Sequence, residues 1–124
     1  MTWQDAAYNH GWSSSSFLTE NPYNNSLHLG EVDVHYSYWT DTAHSDGGYT
    51  EVNEGSGNCL DSNYSGQAYT HNCLSGDMYQ RWYEISTNSG WCLWDLQTGK
   101  VLDANPTVYT NTNYGDGDSY QRWE

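Results

Sequence analysis

Apolar and polar positions along this chain alternate in short bursts bounded by turn-forming residues. The segments GNCLDSN (57–63), QAYTHNC (67–73) and YQRWYEIS (79–86) each read as a strand between Gly, Ser, Asn and Asp turns. GWCLWDLQTG (90–99) adds a fourth strand that ends in a turn. Carried over the whole chain, this rhythm predicts about twelve short strands and a nearly all-β fold.

The rhythm is also a repeat. Tyr-Gln-Arg-Trp occurs at Tyr79–Trp82 and again at Tyr120–Trp123, and Trp39, Trp82 and Trp123 are spaced by 43 and 41 residues. With the tryptophans as anchors, Tyr79–Asn105 aligns with Tyr36–Asn63, setting Leu60-Asp61 against Leu102-Asp103. The first copy is worn: Thr2–Ser16 matches LWDLQTGKVLDAN only through an Asp, a Gly and the following bulky residue. That alignment puts Ser13 to Ser16 where the Asp belongs and Ser37 where the Gln belongs. Three units, roughly 1–40, 41–83 and 84–124, account for essentially the entire chain, which is expected to be one domain. Four strands per unit also suits a propeller blade, but propellers close with four to eight blades. Three such units can instead close a barrel capped by hairpins, with one Trp from each packed about the axis, which is a β-trefoil.

Composition decides what fills such a fold and what it avoids. Aliphatic residues are few, so the seven Trp and twelve Tyr must supply much of the core. Sixteen acidic residues against three basic ones give a formal charge of -13, a field that repels phosphate backbones and anionic lipid, so nucleic acid is a poor partner. No apolar run approaches the ~20 residues that span a bilayer, and MTWQDAAYNHGW lacks the zones of a signal peptide. The expectation is a soluble chain, either cytosolic or the mature form of a secreted domain.

Cys59–Cys73 (CLDSNYSGQAYTHNC) followed by YQRW, and Leu102–Thr110 (LDANPTVYT) followed by YQRW, carry a family resemblance. On these residues the chain resembles the ricin-B-type β-trefoil lectins, whose repeats end in Gln-x-Trp, and within them the small actinohivin-like members. The resemblance spans the chain, strongly in the second and third units and weakly in the first. It implies sugar sites at Asp61 with Tyr69 and at Asp103 with Tyr109. An ionised Asp accepts charge-assisted hydrogen bonds from vicinal hydroxyls, and a rigid phenol ring covers the C–H face of the sugar. Gln80 and Gln121 would orient the two carboxylates from behind, while Trp39, Trp82 and Trp123 are core. The family places an Asn after the Tyr strand; here the spacing fails, leaving Asn72, Asn111 or Asn113 as substitutes, with His71 in place of an apolar neighbour. The first-unit site is expected to be dead or altered. Arg81 and Arg122 should face away, toward solvent or a neighbouring acid. The resemblance also implies a Cys59–Cys73 disulfide and hence an oxidising, extracellular compartment; Cys92 is expected as a small buried hydrophobe.

Catalytic alternatives find little support. His10, His28, His35, His44 and His71 are scattered without metal-ligand spacing. Asp61 and Asp103 belong to different units, unlike the paired carboxylates of a glycosidase, and Tyr114–Ser119 (YGDGDS) lacks the length and closing Glu of an EF-hand. No catalytic residue, cofactor or metal is predicted. The reading is a non-catalytic, glycan-binding protein for mannose-type or galactose-type sugars. A second reading is a protein-interaction trefoil acting through Phe17–Val34, as a protease inhibitor would, or a targeting domain of a larger secreted enzyme or toxin.

Overall fold

The computed structural model of the chain describes residues 1–9 and 15–124, with Asp116 described by its backbone alone. Among the described residues, ten strands pair as five antiparallel hairpins. These are β1 (Phe17–Asn21) with β2 (Ser26–Gly30), β3 (Trp39–Ala43) with β4 (Tyr49–Asn53), and β5 (Cys59–Ser62) with β6 (Ala68–His71). They continue with β7 (Trp82–Thr87) and β8 (Gly90–Asp95), then β9 (Val101–Asp103) and β10 (Tyr109–Asn111). The two strands missing from the expected set are short bridged segments, where Asp5 pairs with Trp123 and Gln4 with Phe17. Gln4 and Glu124 exchange backbone hydrogen bonds of 2.9 and 2.8 Å. Asp5 then accepts the Ala7 amide and turns the chain into the 3-10 turn Ala6–Tyr8, which ends the pairing.

A threefold pattern is written in the core. The indole nitrogens of Trp39, Trp82 and Trp123 donate to the carbonyls of Leu18, Leu60 and Leu102 at 3.0, 3.0 and 3.2 Å. All six side chains are fully buried in one cluster, and each is worth about 1.5–3 kcal/mol relative to exposure. Across the ladder, Trp39 faces Asn53, Trp82 faces Asp95 and Trp123 faces Asp5. Each of these three buried side chains accepts amides of the turn that follows it.

The Tyr-Gln-Arg-Trp motif departs from the expected strand. Tyr79 and Gln80 lie in the 3-10 turn Met78–Gln80, and Tyr120 and Gln121 in Ser119–Gln121. Asp77 and Asp118 cap these turns by accepting the Tyr79 and Tyr120 amides, so β7 starts only at Trp82. The turn aims each Gln inward. Arg81 meets a neighbouring acid, donating to Asp46 at 3.1 Å. Arg122 does not reach solvent; it is buried, donates to the Gln121 carbonyl and lies against the Cys92 thiol. The Cys59–Cys73 disulfide closes the β5–β6 hairpin, contributing roughly 3 kcal/mol in a chain-entropy account. Cys92 is buried.

Candidate functional site

In the second unit Asp61 on β5 sits directly opposite Tyr69 on β6. The Gln80 amide donates to Asp61 Oδ2 at 3.0 Å and to the Asn72 carbonyl at 2.8 Å, while its oxygen accepts the Leu74 amide at 2.9 Å. With three bonds and full burial, Gln80 has one orientation and imposes one on the carboxylate. Asp61 Oδ1 accepts the Ser62 amide at 2.8 Å. Burial pushes the Asp61 carboxyl above the usual carboxylate range; the Gln80 and Ser62 donors oppose it, as does His71, while Asp77 adds to it. The Tyr69 phenol is raised by burial and by Asp61, so it stays protonated, and it donates to the Ser62 carbonyl at 3.3 Å. Asp61, Tyr69, His71, Leu74, Asp77 and Tyr79 line an open cleft of about 200 Å³.

The third unit repeats the pair and then fills it. Asp103 faces Tyr109, Gln121 donates to Asp103 Oδ2 at 3.0 Å, and Gln121 is held by Thr112 and Tyr114 as Gln80 is by Asn72 and Leu74. Asn111 occupies the ladder position that His71 has in the second unit. Its amide donates to Asp103 Oδ2 at 3.3 Å and to the Tyr109 hydroxyl at 3.2 Å. The cleft beside this pair, lined by Asn105, Tyr114, Gly117, Asp118, Ser119 and Tyr120, does not take in Asp103 or Tyr109. Burial again raises the Tyr109 phenol, with Asp103 second. Of the three asparagines, only Asn111 meets the Asp and Tyr. Asn72 reaches Gln80 through its backbone carbonyl and does not line the cleft, and Asn113 holds the Gly115 amide.

In the first unit the Asp position belongs to Thr19, not to Ser13–Ser16. Thr19 follows Leu18 as Asp61 follows Leu60, and its hydroxyl lies 2.9 Å from that of Ser37, which takes the Gln position as expected. Ser13, Ser14 and His10 lie outside the described residues, and Ser16 is buried, accepting from Gln4 at 2.8 Å. The alignment slipped because Leu18 lies thirteen positions after Asp5, whereas seven separate Asn53 from Leu60 and Asp95 from Leu102. A signal was present: Leu-x-x-Asn recurs at Leu18–Asn21, Leu60–Asn63 and Leu102–Asn105. His28 stands where the other units have Tyr, and its ring lies over Gly30, where an added Cβ would come within 3.2 Å of it. No carboxylate occupies the Asp position here. Within Phe17–Val34, Phe17 to Glu20 are buried in β1, so the exposed part is the hairpin tip around Tyr23, Ser26 and His28 on β2, and the segment that follows the hairpin.

No protein-family model and no curated protein sequence matches the chain. Solved structures do. A designed 3-fold symmetric protein, ThreeFoil, superposes with a TM-score of 0.78 at 20% identity over 99% of this chain and 94% of that one. The Polyporus squamosus lectin, solved with the epitope Neu5Aca2-6Galb1-4GlcNAc, gives 0.79 at 18% identity over 99% of this chain, which spans 47% of that lectin. The fold is a β-trefoil. SeviL, solved with asialo-GM1 saccharide, gives 0.72 at 14% identity over 98% of this chain and 92% of its own. At these identities the likeness speaks for the trefoil and leaves the site to be argued from its own residues.

Proposed function

We propose that this trefoil is a non-catalytic carbohydrate-binding protein of the lectin kind, with its principal site at Asp61. The observation that carries the reading is a buried Gln fixing a carboxylate beside a phenol ring at an open shallow cleft. Each Asp61 oxygen already accepts one bond, from Gln80 or Ser62, and retains a lone pair for a sugar hydroxyl. Two such acceptors suit vicinal hydroxyls, and Tyr69 offers the stacking face. Asp103 is a second, weaker site, because Asn111 already takes up part of its Oδ2 and must move aside or bind the sugar itself. A cleft built on one carboxylate and one ring should hold a monosaccharide at about millimolar Kd, near 4 kcal/mol. Two sites on one rigid body gain by avidity on clustered glycans.

The finer assignments are supported by the geometry of the Gln-x-Trp turns and by the disulfide. They are membership of the ricin-B-type group, a secreted setting, and neutral mannose-type or galactose-type ligands. A glycan array of the wild type, Asp61→Ala, Asp103→Ala and the double variant tests the reading. Binding should fall most with Asp61→Ala, vanish in the double variant, and leave the bound glycan uncut. Undiminished binding by the double variant would reject the sites; no binding by the wild type would reject the function.

A further inference from the structure

We propose that the second-unit cleft continues past Tyr69 into a neutral basin among the hairpin tips, and that this basin holds the next residues of a neutral oligosaccharide. The inference rests on the lectin reading and extends it from one sugar to a chain of them. The basin measures about 540 Å³ and is bounded by the tips of three hairpins, one from each unit: β1–β2, β5–β6 and β9–β10. Tyr69 lines both the Asp61 cleft and this basin and so joins them, and Tyr109, bridged to Gln67, lines the basin as well.

Size and chemistry separate the two compartments. The Asp61 cleft, at about 200 Å³, falls below the ~300–1,000 Å³ of ordinary small-ligand sites, whereas the basin lies within that range. The basin is lined by no charged residue, although the chain carries a formal charge of -13. Asn25, Ser26, Gln67 and Thr107 present amides and hydroxyls that both donate and accept, as sugar hydroxyls do. Tyr69, Val108 and Tyr109 add apolar lining. This surface suits uncharged polyols; the Lys100 ammonium, which donates to the Tyr64 carbonyl, stands 3.8 Å from a Cβ built on Gly66.

The basin is also preformed. Thr70 donates its amide to the Asn25 carbonyl and Thr110 to that of Gly66, both at 2.9 Å, tying the first tip to the second unit and the second tip to the third. Gly66 has φ +85, and an added Cβ would stand 3.0 Å from the Thr110 carbonyl, so only glycine allows this approach. Asn63 holds the Gln67 side chain at 2.8 Å. Ordering costs on binding therefore fall on the ligand.

Calorimetric titration with matched probes, mannose against α-1,2-mannotriose and galactose against lactose, tests the proposal on the wild type, Thr107→Trp and Ser65→Trp. Both substituted positions are exposed on separate tips, so one local failure of folding leaves the other variant informative. In at least one probe pair the wild type should bind the longer sugar about tenfold or more tightly than the shorter. The Trp variants should lose that advantage and keep the monosaccharide affinity. In the wild type, the amides of Gln67 and Thr107 should shift in NMR spectra with the oligosaccharide and not with the monosaccharide. Equal affinities within both pairs, or an advantage that survives both Trp variants, overturns the basin while leaving the Asp61 site standing. Binding that ignores Asp61→Ala, or no binding at all, removes the lectin reading and the basin with it.

Discussion

One hydroxyl separates the surroundings of Asp95 from those of Asp5. Both carboxyls are buried opposite a core Trp and accept amides of the next turn. Asp95 Oδ2 also accepts the Ser62 hydroxyl at 2.9 Å, whereas Asp5 Oδ2 has no hydrogen-bond partner among the described residues. Ser62 follows Asp61, and the residue that follows Asp103 in the next unit is Ala104. Burial pushes Asp95 up to about 7 and Asp5 up to about 8, against the pull of their amide donors. Ser62→Ala should therefore cost about 1–3 kcal/mol and raise the Asp95 pKa further. Ala104→Ser should supply Asp5 with the missing donor, lowering its pKa and raising Tm. Chemical denaturation and carboxyl-carbon NMR titration measure both, and a Ser62→Ala variant as stable as the wild type would deny the hydroxyl its role.

At the scale of elements, β3, β4 and β7 bring three carboxyls together. Asp41 pairs directly with Glu51 across the ladder, and Glu84 reaches both. Glu51 is fully buried, with the Trp3 indole 3.5 Å from one oxygen and no hydrogen-bond partner for the other among the described residues. Burial raises Glu51 well above the usual range, Glu84 adding to the effect, and burial likewise raises Glu84. A carboxyl raised in the folded state stabilises fully below its unfolded pKa and loses that contribution as pH climbs through the folded value. Five carboxyls act in this direction: Glu51, Glu84, Asp95, Asp5 and Asp61. With ordinary values of 3.8 and 4.5 and folded values reaching about 7 and about 8, stability should decline from pH 4 to pH 8. Tm should accordingly be higher at pH 5 than at pH 8, and Glu51→Gln should flatten the difference. A Tm that climbs toward pH 8 would contradict this account.

For the molecule as a whole, charge would decide which glycans the proposed site admits. The three basic residues are engaged: Arg81 with Asp46, Arg122 with the Gln121 carbonyl, and Lys100 with the Tyr64 carbonyl at 2.9 Å. Two carboxylates, Asp61 and Asp77, line the principal cleft. A sialylated glycan thus meets repulsion at long range, and neither lysine nor arginine lines the Asp61 cleft to offset it at short range. Gal-GlcNAc should bind at least about tenfold more tightly than its sialylated form at low salt, with the gap narrowing as ionic strength rises. Surface plasmon resonance on the paired glycans at two salt concentrations measures this, and a preference for the sialylated form would reject the argument.

What the sequence determined by itself was local or periodic. The hairpins follow from alternation and turn residues, and the three units from the Trp spacing. The Gln80–Asp61 and Gln121–Asp103 pairings were legible because a repeated motif carries its own register. Tertiary structure decided everything that depends on chain crossing between units or on an altered loop length. The longer stretch between Asp5 and Leu18 moved the first unit's Asp position to Thr19, and the ladder register selected Asn111 over Asn113. The capped turns before Trp82 and Trp123 buried Arg122 where strand alternation pointed it outward. The basin beside Tyr69 is assembled from hairpin tips some forty residues apart in the chain, held by bonds such as Thr70 to Asn25. Side-chain periodicity records which face of a strand is buried; it carries no record of which distant turn comes to rest against that face.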